Sequence, residues 1–156
     1  MNIGSNKIHS VYLGNTKINK AYIGDVMVYA SEKRFVPSWT ISGSGWTNTT
    51  WGQWGVGRDE GEPLTGIAKA TVDLEGHTKM RLVPTSSGWN TARAGGGINI
   101  LIDGTSVWSI GQEQSVSEPV VIDISDFHGT VELQIRLSAS WGYTTMYNET
   151  EILLFD

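Results

Sequence analysis

Six aromatic side chains lie in polar, glycine-rich surroundings: Trp46, Trp51, Trp54, Trp89, Trp141 and Tyr143. Indole and phenol rings stack on the C–H faces of sugars through dispersion and the hydrophobic effect, while neighbouring polar groups fix the hydroxyls. The same rings serve as anchors at protein interfaces and as plugs for the open end of a β-domain. Arg58, Asp59, Glu60, Asn90, Arg93 and Gln112 stand close by in sequence, as polar partners or as a solvated rim. Residues that could break bonds are sparse. Asp59, Glu60 and Glu62 cluster, but a glycosidase needs two carboxylates about 5–10 Å apart with one pKa raised, and adjacent loop carboxylates are ordinarily solvated. The three histidines, His9, His77 and His128, accompany no G-x-S-x-G elbow and no zinc-ligand spacing. Ala94-Gly95-Gly96-Gly97 lacks the Lys-Ser/Thr of a phosphate loop. Cysteine is absent, which excludes thiol chemistry and disulfides. The expectation is a protein without catalytic residues, cofactor or bound metal.

The chain that carries these residues has 156 of them, 39% hydrophobic and 17% charged. That length suits one domain with a small appendage, and that composition is neither disordered nor membrane-spanning. No apolar run approaches the roughly 20 residues that cross a bilayer, and the N-terminus shows no basic-then-apolar signal segment. Charge is uneven. Residues 1–34 carry five Lys/Arg against two acids, and residues 35–156 carry six against fourteen, so the balances are +3 and −8. An acidic domain lacks the basic footprint that nucleic acid requires.

From Phe35 onward the pattern is of short strands: Phe35–Ile41, Gly66–Leu74, Thr78–Val83, Ile98–Ile102, Ser106–Ile110, Val120–Ile124, Thr130–Leu137 and Met146–Phe155. The alternation in Val131-Glu132-Leu133-Gln134-Ile135-Arg136-Leu137 puts Val131, Leu133, Ile135 and Leu137 inward. Eight short strands with Gly- and Ser-rich connections and no helical periodicity predict an all-β, jelly-roll β-sandwich over residues 35–156. If consecutive strands run antiparallel, the long connections at 42–65, 84–97, 111–118 and 138–145 share one end, and the six aromatics crowd there. Trp39 and Trp108, within strands, are expected in the core. A shallow aromatic site with few charges suits a neutral or weakly polar sugar.

Upstream lies a repeat. Lys7-Ile8-His9-Ser10-Val11-Tyr12-Leu13-Gly14-Asn15-Thr16 is followed by Lys17-Ile18-Asn19-Lys20-Ala21-Tyr22-Ile23-Gly24-Asp25-Val26, sharing K-I-x-x-[VA]-Y-[LI]-G-[ND] with a period of ten. Gly-Asn and Gly-Asp suit two-residue hairpin turns. Pairing through them sets Leu13 opposite Thr16, Val11 opposite Ile18, Ile23 opposite Val26 and Tyr22 opposite Met27. The reading is a three-stranded antiparallel meander over residues 7–30, in an N-terminal unit of residues 1–30 followed by a linker at 31–34. One face carries Val11, Leu13, Ile18, Tyr22, Met27 and Tyr29. The other carries Ile8, Tyr12, Ala21, Ile23, Val26 and Val28. A meander of about 25 residues cannot bury two apolar faces alone. Val11, Tyr12, Leu13, Ile18, Tyr22 and Ile23 are therefore candidate anchoring or oligomerisation residues.

This doublet resembles a short module of tail, baseplate and other virion structural proteins of tailed bacteriophages. The resemblance covers about residues 6–30. It implies localisation in the virion, other virion proteins as partners, and a homo-oligomer, with a trimer favoured by analogy with other virion projections. The stretch Val121-Ile122-Asp123-Ile124-Ser125-Asp126-Phe127-His128-Gly129-Thr130-Val131-Glu132-Leu133-Gln134-Ile135-Arg136-Leu137, with Ile98-Asn99-Ile100-Leu101-Ile102-Asp103-Gly104-Thr105, resembles galactose-binding-like and carbohydrate-binding-module jelly rolls. These motifs report fold and carry no binding residues. Such domains often hold a structural calcium near the closing strand, where Glu149, Glu151 and Asp156 lie without a ligand spacing. Two functions follow from the resemblances. One is a virion structural protein whose jelly roll decorates the particle or binds a host-surface glycan. The other is a carbohydrate-binding module of a bacterial cell-surface or secreted protein.

Overall fold

The computed structural model describes the backbone of residues 2–3, 6–7, 11–13, 16–18, 20–23, 26–30, 33–44, 46–48, 53–58, 62, 64–148 and 152–155. Side chains are described for 33–44, 54–57, 62, 64–84, 88–146 and 152–155. No described residue is helical, and every described strand pair is antiparallel.

Three hairpins come first: β1 (Asn2–Ile3) with β2 (Asn6–Lys7), β3 (Val11–Leu13) with β4 (Thr16–Ile18), and β5 (Lys20–Ile23) with β6 (Val26–Ala30). The pairs Leu13↔Thr16, Val11↔Ile18, Ile23↔Val26 and Tyr22↔Met27 all form as the two-residue turns demand. A third unit, missed in the sequence, closes at Ile3↔Asn6, so the turns recur every ten residues three times over. The arrangement departs from a three-stranded meander. Among the described residues each hairpin is its own two-stranded sheet, and 16–18 pairs backward while 20–23 pairs forward. A register shift between Ala21 and Tyr22 sets Ala21 opposite Tyr29.

The remaining strands build a jelly-roll β-sandwich: β7 (Lys33–Phe35), β8 (Thr40–Gly43), β9 (Trp46–Asn48), β10 (Gln53–Arg58), β11 (Leu64–Asp73), β12 (Lys79–Leu82), β13 (Pro84–Asn90), β14 (Gly97–Ile102), β15 (Thr105–Ile110), β16 (Ser115–Val116), β17 (Val120–Asp123), β18 (Thr130–Ala139), β19 (Gly142–Asn148) and β20 (Ile152–Phe155). One layer has the order β15-β14-β18-β11-β8. The other is in two blocks, β17-β12-β20-β7 and β16-β13-β19-β10-β9. Only Val83 separates β12 from β13, so the blocks are successive lengths of one layer, offset where the ladder shifts between Pro84 and Trp89. The inward phase of β18 is as expected: Val131, Leu133, Ile135 and Leu137 are buried against Val56, Met80, Leu82, Met146, Ile152 and Leu154 in one continuous core. Each such side chain contributes roughly 1.5–3 kcal/mol relative to exposure.

Where strand positions differ from the sequence reading, the causes are local. Phe35–Ile41 is two strands in different layers, because Pro37 cannot donate to a ladder and the chain crosses between layers over 36–39. Lys33 and Arg34, read as linker, belong to β7 and pair with Leu154 and Leu153. Met146–Phe155 divides into the end of β19 and all of β20. The expected long loops largely dissolve: β9, β10, β13, β16 and the start of β19 are drawn from them.

Candidate functional site

Strand phase decides the fate of the aromatics. In β10, Trp54 and Val56 face inward and the glycines at 55 and 57 take the other face. Trp54 is 5% exposed and meets the half-buried Trp39 edge-to-face at 4.9 Å. Trp89, in β13, is 0% exposed and meets Trp108 in the same geometry at 5.5 Å. Both residues, expected at a ligand surface, are core residues, because the segments holding them are strands with their inward phase on tryptophan. Trp39 and Trp108 pack on the core from its margin. Trp46 lies in β9 opposite Gly55; its side chain, and Trp51 altogether, fall outside the described residues.

Trp141 and Tyr143 are the other outcome, 47% and 56% exposed. They stand two residues apart at the start of β19, where Thr144 and Met146 take the inward phase. Three connections converge to hold them. Ala94 N–H donates to the Trp141 carbonyl (3.3 Å), and the Ala94 carbonyl accepts from the N–H groups of Ser140 (2.9 Å) and Trp141 (3.2 Å). Thr91 N–H donates to the Gln114 carbonyl at 2.9 Å, and Glu113 N–H to the Ala92 carbonyl at 3.2 Å. Beneath them the buried Thr144 hydroxyl accepts from Ala92 N–H (3.0 Å) and donates to the Ser138 carbonyl (2.6 Å), so no polar group of that pin is wasted.

Two glycines shape the surface. Gly57 is the cross-strand partner of Tyr143, and a β-carbon there would collide with Cδ1 and Cγ of the phenol ring and with the Gly142 carbonyl. The absent side chain lets the ring lie against the β10 backbone. Gly142 has φ +85, a conformation that L side chains rarely adopt, and it turns the chain between Trp141 and Tyr143.

The polar surroundings are sparse. The Arg93 guanidinium lies over the Trp141 ring, Cζ 5.3 Å from its centroid, and Arg93 Nε is 3.8 Å from Glu113 Oε1. Asn90, the last residue of β13, and Gln112, between β15 and β16, are exposed; Arg58 has its backbone opposite Gly142; Asp59 and Glu60 lie outside the described residues. His77 and His128 sit in turns at the opposite end, beside β12 and β18. Asp73 and Asp123 also belong there. Hydrogen bonds from Glu75 N–H and Lys33 hold the Asp73 carboxyl below its ordinary range, and the Ser125 hydroxyl and N–H do the same for Asp123. Among the described residues no group of three His, Cys, Asp or Glu is arranged to hold a metal ion. Glu149, Glu151 and Asp156, the calcium candidates, lie outside them.

No protein-family pattern and no curated protein matches the sequence. Solved structures do resemble the fold. A carbohydrate-binding module, CBM36, in complex with calcium and xylotriose is 12% identical, with a TM-score of 0.47 over 81% of this chain and 99% of its own. The module TmCBM61, in complex with β-1,4-galactotriose, is 13% identical, with a TM-score of 0.48 over 78% of this chain and 90% of its own. The enzymatically active domain of tailspike protein 4 of bacteriophage CBA120 is 14% identical, with a TM-score of 0.43 over 78% of this chain and 20% of its own.

Proposed function

We propose that the sandwich is a glycan-binding module and that the chain is a structural component of a phage virion, displaying this module at the host surface. The observation that carries the first part is the exposed pair Trp141 and Tyr143, held on a hydrogen-bonded platform with Arg93 beside it. Exposed aromatics fixed by a rigid β-scaffold suit recognition. The site binds without turnover. One platform of this size is weak, because sugar hydroxyls lose water and little area is buried. Several copies on one particle raise avidity by roughly 10²–10⁴ when their spacing fits.

The second part is supported by the K-I-x-x-V-Y-L-G-N repeat. Its hairpins of two to five residues per strand are too short to be stable singly. In this reading residues 1–30 oligomerise the chain, as a trimer, and dock it on other virion proteins through Val11, Tyr12, Leu13, Ile18, Tyr22 and Ile23. Mass spectrometry of purified particles tests the virion assignment, and particle adsorption to host cells tests the glycan assignment. Particles carrying Trp141→Ala and Tyr143→Ala should adsorb poorly at unchanged occupancy. Normal adsorption would leave the sandwich a decorative module. Xylotriose and β-1,4-galactotriose, the sugars held in two of the similar structures, are the first probes for direct binding.

A further inference from the structure

Glu113 sits at φ +54, a left-handed conformation in which a β-carbon is unfavourable and glycine or asparagine is the ordinary occupant. The turn around it has other supports. Gln114 pairs with Thr91, and its side-chain Oε1 accepts from Gly111 N–H at 3.1 Å. Packing does not call for a glutamate either, since its side chain is 64% exposed. What remains is the place of its carboxylate, 3.8 Å from Nε of Arg93, the cation that lies over Trp141. A strained residue persists where its surroundings or its function over-determine it.

We infer that Glu113 is a specificity-determining residue of the aromatic site: it cancels the charge of Arg93 and holds the guanidinium over Trp141, so the site takes uncharged sugars and turns away carboxylate-bearing ones. This rests on the glycan reading above. An unopposed guanidinium beside an exposed indole is a ready partner for a uronate, because its N–H fork matches a carboxylate bidentately. With Glu113 in place, an incoming carboxylate meets a like charge already on that cation, within a domain whose balance is −8. A neutral sugar meets no such penalty. It stacks on the indole and finds guanidinium N–H groups for its hydroxyls.

The test compares the full chain with Glu113→Gln and Glu113→Gly on two probes, a neutral galactan and polygalacturonate. Glu113→Gln keeps the shape and removes the charge. Its preference for polygalacturonate over galactan should rise about tenfold, the size of one charge-assisted contact, in a salt-dependent manner. Glu113→Gly should show the same gain with a higher thermal transition, since it also relieves the backbone. The Arg93 Nε–H resonance reads the geometry without any sugar. It should carry a ring-current shift from Trp141 in the parent chain that shrinks in Glu113→Gln. Galactan binding with no gain on polygalacturonate in either variant would overturn this inference alone, as would an unmoved Nε–H resonance. A parent chain that binds neither polymer while the resonance behaves as expected would overturn the glycan reading instead.

Discussion

Trp89 and Trp141 lie near the same end of one β-layer and have opposite fates. Trp89 is sealed in the core against Trp108, whereas Trp141 stands in solvent beneath Arg93. The difference is not residue type or local polarity, since each has serine before it and a glycine beside it, Gly88 and Gly142. It is phase. β13 turns Trp89 inward opposite Met146, and Trp141 precedes β19 by one residue, outside its inward positions at Thr144 and Met146. A tryptophan in a polar stretch thus becomes a functional candidate only once the strand that carries it is known.

Mutation can break this contrast most strongly from the buried side. Trp89→Ala should cost about 3–5 kcal/mol and lower the thermal transition by roughly 10 °C or more, with Trp54→Ala close behind. Urea and thermal unfolding measure both. A loss under about 1 kcal/mol would mean that these rings do not fill the core. Next comes the scaffold under the exposed side. Gly57→Ala forces a β-carbon into the Tyr143 ring and should cost about 1–3 kcal/mol, while moving the tyrosine resonances in an NMR spectrum.

Trp141→Ala and Tyr143→Ala should sharpen the contrast by doing little to the fold. Each is expected within about 0.5 kcal/mol of the parent in denaturant titration, while glycan retention falls about tenfold. A cooperative loss of stability from either would make it a packing residue like Trp89. The smallest effect concerns the far end. Asp73 and Asp123 have folded-state pKa values below their unfolded values, so their stabilisation is present above about pH 4 and fades as pH falls through the folded values. Asp123→Asn should flatten the acid limb of a stability profile between pH 7 and pH 2 and leave sugar binding unchanged. An acid limb that stays as steep would place the proton uptake elsewhere.

Much of the scaffold was legible because its signals are local. The strict alternation of residues 131–137 predicts β18 and its buried face, and two-residue Gly-Asn and Gly-Asp turns fix the hairpin registers. The third hairpin was hidden because Ile3-Gly4-Ser5-Asn6 shares the turn position and lacks the K-I-x-x-V-Y stem. The site was half legible. Pro84-Thr85-Ser86-Ser87-Gly88 has loop composition, yet it belongs to a strand pinned to its neighbours at both ends, by Pro84 opposite Asn148 and by Trp89 and Asn90 opposite β16 and β19, a non-local term that overrides propensity. The W-G-V-G alternation at 54–57 was a usable sign that Trp54 faces inward. Glu113 had no sequence signal, since its meaning comes from a backbone angle and from Arg93 across a turn.

The central claim is that the exposed pair at the start of β19 is a glycan surface, and one comparison tests it most directly. The full-length parent chain and a Trp141→Ala/Tyr143→Ala double variant, matched for thermal transition, are applied to the same array of host-surface glycans. The account predicts that the parent retains at least one uncharged glycan and that the double variant loses it. Equal retention by the two proteins, or a blank array for the parent, would contradict it.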